Sequence, residues 1–63
     1  MAIDLEAILG KENMTIDSKD RVIQIIRALP GTVTNRRFIY SRWLRTVGQS
    51  PSTFDLDVVG QPE

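Results

Sequence analysis

The sequence predicts a mainly α fold: a compact three-helix domain with a helix-turn-helix-like outline, followed by an extended C-terminal segment that can add one β-strand. Three observations carry this expectation. Apolar residues recur at helical spacing through residues 17–29 and again through 33–47, proline and glycine stand together between the two stretches at Pro30 and Gly31, and only after Gly48 does the pattern change to alternation. With 63 residues the chain has room for one domain. A domain of that size buries only about 60% of the surface its unfolded chain exposes, so its stability is marginal. The domain is expected over residues 1–59, with the ending "GQPE", 60–63, as a frayed tail.

The first helix is expected over residues 4–9, where "IDLEAIL" carries an acid at its start and Gly10 just past its end. The second, over 18–29, groups Val22, Ile23, Ile25, Ile26 and Leu29 on one arc and Asp20, Arg21, Gln24 and Arg27 across from it. Asp17 and Ser18 are its candidate N-caps, and Asp17 stands four residues before Arg21, the order that suits a helical ion pair. Pro30 and Gly31 end it. The third, over 35–47, has Thr34 or Asn35 as cap and Gly48 as stop. Ile39, Tyr40, Trp43, Leu44 and Val47 share its apolar arc. Phe54, Leu56 and Val58 then alternate with Asp55 and Asp57, the period of a half-buried strand. A short helix with Ser50 as cap and Pro51 in its first position is the alternative. The expected core is Ile8, Leu9, Val22, Ile25, Ile26, Leu29, Ile39, Tyr40, Trp43, Leu44 and Val47.

Composition narrows the chemistry. The chain has neither cysteine nor histidine, which removes disulfides, Cys or His zinc sites, thiol nucleophiles and neutral-pH imidazole acid/base work. Neither a glycine-rich phosphate loop nor a helical pair of metal ligands occurs, so no enzyme activity, cofactor or metal is expected. Asp55 and Asp57 would share a face of a strand, where the bland reading is two solvent-facing positions. Acids from Asp4 onward argue against a secretory leader, and no window approaches a membrane span, so a cytoplasmic protein without membrane contact is expected.

The zero net charge hides a division: residues 1–26 carry −2, residues 27–54 carry +5 with five arginines and no acid, and residues 55–63 carry −3. Such asymmetry concerns partners rather than fold. The cationic middle coincides with the third helix. Arg37, Ser41 and Arg45 at spacings of four form a line, with Arg42 adjacent. A helix so decorated can lie in a major groove, Arg37 and Arg45 reading bases while Arg36 and Arg42 hold phosphates. Arg36 falls inside the apolar arc but can reach past the core edge and keep its charge wet. With the second helix and the "PGTV" connection, this is the outline of a helix-turn-helix DNA-binding regulator, acting as a homodimer.

The rival use of the same face is protein recognition. Phe38 points to the arginine side, and arginine with aromatics is the composition of interface hot spots, so a protein-binding adaptor or inhibitor could set it against an acidic partner. A quieter explanation is a hydrophobic staple: with Thr34 as cap, Val33 precedes the cap and Phe38 is the fourth helical residue. Tyr40 and Trp43 read as core. "LEAIL" loosely resembles leucine-rich docking helices, but such patterns are common on amphipathic core helices. The acidic tail could cover the arginine face. The candidate binding residues are therefore Arg36, Arg37, Phe38, Ser41, Arg42 and Arg45.

Overall fold

The computed structural model describes residues 3–62. Four α-helices follow in order: α1 (Leu5–Leu9), α2 (Lys19–Ala28), α3 (Val33–Thr46) and α4 (Thr53–Gly60), with 3₁₀ turns at Lys11–Asn13 and Ile16–Ser18 between the first two. Among the described residues there is no strand. The mainly α expectation holds. The radius of gyration is 10.4 Å, close to the roughly 10.6 Å that folded-chain scaling gives for this length.

The arrangement follows from α3. This helix packs against α4, α2 and α1, and α2 packs in turn on α4, so α2, α3 and α4 form a triangle closed at one end by α1. The buried core lies inside it: Leu9, Val22, Ile26, Tyr40, Trp43, Leu44 and Val59. Ile8, Ile25, Leu29, Ile39 and Val47, also expected in the core, are half-buried around it. Trp43 and Tyr40 stack with ring centroids 5.8 Å apart, and the Trp43 indole donates to the Asn13 carbonyl at 2.8 Å. Asn13 is itself buried, donating from its amide to the Leu9 carbonyl and accepting from Arg21 at 3.3 Å. A single asparagine thus ties α1, α2 and α3 through one turn.

Three expectations need correction. The C-terminal segment is not extended. Ser52 accepts from the Asp55 amide at 3.1 Å and starts α4, which turns Leu56, Val59 and Gly60 inward. A helical register buries pairs four apart, which the alternating pattern obscured. Ser52, rather than Ser50, is the cap, and Pro51 lies before the helix. Of the tail 60–63 expected to fray, Gly60 is the last residue of α4 and buried, while Glu63 lies outside the described residues.

The second correction moves the start of α3. Thr32 is its cap, accepting from the Asn35 amide at 3.1 Å, so Thr34 and Asn35 stand in the first turn. Its end is as expected. Gly48, at φ 77°, takes the left-handed conformation, its N–H donating to Arg45 while that of Gln49 reaches back to Leu44 at 2.9 Å. This is a Schellman closure. Third, Asp17 and Arg21 form no ion pair: among the described residues the ion pairs are Lys19 with Asp55 and Arg37 with Asp57.

Candidate functional site

The arginines of the cationic segment divide between roles once α3 is in place. Its inner side carries Arg36, Tyr40, Trp43 and Leu44. Its outer side, reached by steps of four and three, carries Phe38, Arg42 and Arg45, all exposed. Ser41 is half-buried beside them.

Arg36 is 5% exposed and does not keep its charge wet. Its guanidinium donates to the Gly31 carbonyl at 2.9 Å and to the Gly60 carbonyl at 2.8 Å, while Nε finds no partner. Arg36 therefore joins the α2–α3 turn to the C-terminal end of α4, where the helix dipole favours a cation. Held there, it does not reach an external phosphate.

Arg37 leans on α4, donating to the Leu56 carbonyl at 3.2 Å and to Asp57 at 3.4 Å. Both charged groups of that pair are well exposed, so it contributes about 0–1 kcal/mol. Among the described residues it is the one contact between a carboxylate of the acidic tail and an arginine of α3. Arg42 and Arg45 have no side-chain partner among the described residues.

Phe38 is 54% exposed. Because Thr32 is the cap, Phe38 is the sixth helical residue rather than the fourth, and the residue before the cap is Gly31, which has no side chain to meet it. The staple explanation falls. A large ring stands in solvent on the same face as two arginines that have no side-chain partner among the described residues, supplying apolar area next to planar, multidentate donors.

The two aspartates of the tail separate as well. Asp55 accepts from Lys19 at 2.8 Å and from the Tyr40 hydroxyl at 3.2 Å, whereas Asp57 faces Arg37. They do not share the face a strand would have given them. Lys19 above all, with Ser52 and Tyr40, holds the Asp55 carboxyl below its ordinary range against an opposing push from burial. Burial foremost, then Asp55, raises the Tyr40 hydroxyl well above its ordinary value. The Lys19–Asp55–Tyr40 tie was not visible in sequence, since it spans three helices. Among the described residues no group of three or more potential ligands converges to hold a metal ion, and no helix is long and apolar enough to cross a membrane.

No protein-family model, curated protein or solved structure matches this chain. The site is therefore read from its own chemistry.

A second surface feature lies on the far side of the bundle. Between α2 and α4 runs an open groove of about 590 Å³, floored by Ile23 and Val58 and walled by Phe54. Phe54 is 75% exposed, the most open of the large apolar side chains among the described residues.

Proposed function

We propose that the chain is a small, non-enzymatic regulatory binding module that docks on an acidic protein partner through Phe38, Arg42 and Arg45, with Ser41 at the edge of the contact. The exposure of Phe38 midway along the outer face of α3 carries this reading. An aromatic anchor beside arginines is what hot spots are made of, and it gains most when a partner removes it from water. Arg42 and Arg45 would then pair with carboxylates around the pocket that takes the ring. The lack of histidine and cysteine, and the engagement of Asp55 with Lys19 and Tyr40, support a role without catalysis. A cytoplasmic setting suits a chain without cysteine.

Nucleic-acid binding is the second reading, favoured by the succession of α2, a short turn and α3, with Arg37, Ser41 and Arg45 at four-residue spacing on α3. It ranks second because Arg36 is committed to carbonyls and Arg37 to α4, leaving two unengaged arginines on α3 of a neutral chain. With two phosphates neutralised, the logarithm of affinity would change with that of salt by a slope of only about −1.8. A homodimer would double the number of contacts.

The deciding experiment compares wild type, Phe38→Ala and Arg42→Ala/Arg45→Ala in two assays: affinity capture of proteins, and titration of mixed-sequence duplex DNA at low and moderate salt. Docking on a protein predicts captured species lost with both variants and little affected by salt. Saturable, salt-sensitive DNA binding that ignores Phe38→Ala would overturn it in favour of the second reading.

A further inference from the structure

We propose that the α2–α4 groove of one copy receives the Phe38 face of another, so that the chain associates head to tail. The inference rests on the docking reading of that face and adds the identity of an occupant. Two complementary surfaces stand on one molecule. The outer side of α3 carries the aromatic and two arginines without a side-chain partner among the described residues; the groove carries an apolar floor at Ile23 and Val58, an aromatic wall at Phe54, and a rim on which Asp20 and Asp55 stand with Lys19 and Arg27.

The rim matches the incoming charges at one end. Asp20 has no ion-pair partner among the described residues, whereas Asp55, also on the rim, is paired with Lys19. Arg27 lines the other end and donates from Nε to the Gln61 carbonyl at 3.0 Å, so the end that suits an incoming arginine is the one at Asp20. An entering Phe38 ring would meet Phe54 edge or face, a pairing that aromatic rings favour, while Arg42 or Arg45 reached Asp20. The groove, at about 590 Å³, lies in the range of sites that take a side chain or small ligand whole. Zero net charge removes the mutual repulsion that would keep copies apart.

The placement fixes the symmetry. Because α3 packs on both α2 and α4, its outer face points away from the groove between them. A copy docked by its α3 face leaves its own groove open, so the contact is heterologous, joining further copies into a ring or an open chain rather than closing as a two-fold dimer.

The test is sedimentation velocity over a concentration series, with one variant for each half of the contact. Phe38→Asp disables the inserting face, and Phe54→Ala/Asp20→Lys disables the groove; all three side chains are exposed, and circular dichroism confirms that each variant is folded. Wild type should form dimers and longer species as concentration rises, and either variant alone should lower the association constant about thirtyfold or more. An equimolar mixture of the two should form a 1:1 dimer that does not grow, because it retains one intact face and one intact groove. Wild type that stays monomeric throughout, or a mixture that does not pair, overturns the proposal. Association lost with Phe38→Asp but indifferent to Phe54→Ala/Asp20→Lys overturns it too, by assigning a two-fold α3–α3 contact. Monomeric wild type that still captures a Phe38-dependent protein sinks this inference and leaves the docking reading standing.

Discussion

Replacing Arg36 by Met keeps much of the side-chain stem and removes the guanidinium. Two hydrogen bonds go with it, to the carbonyls of Gly31 and Gly60. Gly31 lies in an exposed turn, where water replaces the lost donor. Gly60 is buried at the end of α4, and a buried carbonyl left without a donor costs about 1–3 kcal/mol. Loss of a cation at a partly buried helix C-terminus adds up to about 2 kcal/mol. Opposing both is relief from burying a charge whose Nε has no partner. The orphan carbonyl and the dipole prevail, for a net loss of about 2 kcal/mol. For a chain of this length total stability is only about 3–9 kcal/mol, and the loss lowers the thermal midpoint by about 8–16 °C. Melting followed by far-UV circular dichroism, with a parallel urea series, measures it. Arg36→Lys should recover part of the loss, since it restores the charge without the fork that spans both carbonyls. A midpoint unmoved within about 2 °C for Arg36→Met would refute the assignment of Arg36 to α4 and return it to the pool of ligand-binding arginines.

Other outcomes follow from the same packing. Trp43→Ala should cost about 3–5 kcal/mol, most of what the domain has, and an unchanged calorimetric midpoint would remove Trp43 from the core. Phe38→Ala should move stability by no more than about 0.5 kcal/mol in urea while abolishing docking; a large destabilisation would mean that the ring is packed. Since the folded-state Asp55 carboxyl lies below the ordinary carboxylate range, its stabilisation is present above that range and lost as pH falls through and below it. The stability gap between wild type and Asp55→Asn should therefore narrow on acidification, and a gap independent of pH would contradict the Lys19 contact. The raised Tyr40 hydroxyl acts at the other limit: its contribution is intact below the ordinary value of 10.0 and drains away at higher pH. Tyr40→Phe should be spared that alkaline loss in the same melting assay.

How far the fold could be read from sequence depended on whether its determinants were local. α2 and α3 were legible because their apolar periodicity and the proline or glycine that ends each lie within a few residues of one another. Their ends shifted where several capping residues competed: Thr32, Thr34 and Asn35 can all cap, and the choice of Thr32 changed the meaning of Phe38 altogether. α4 was hidden by an accident of spacing. Phe54, Leu56 and Val58 alternate perfectly, yet Val59 is the residue of α4 that enters the core, and Phe54 stays in water. Arg36 announced itself by lying on the apolar arc, but its partner carbonyl on Gly60 is distant in sequence, so nothing local said what could satisfy a buried guanidinium there. The outer face of α3 was legible in residue types and not in number: four candidate arginines became two without partners once α4 folded against the helix.

The packing of Trp43 has a consequence for how this molecule can be watched. Its indole, wholly enclosed and stacked near Tyr40, should emit at short wavelength, resist soluble quenchers and collect excitation from the phenol by dipolar transfer. That makes it a sensitive witness of the interior and a poor one of the opposite side of α3, where Phe38 scarcely emits. A silent intrinsic-emission titration would thus not count against docking. The missing cysteines supply the alternative: Thr34→Cys, on the exposed first turn of α3, would be the sole thiol of the chain and would place a single dye beside Phe38.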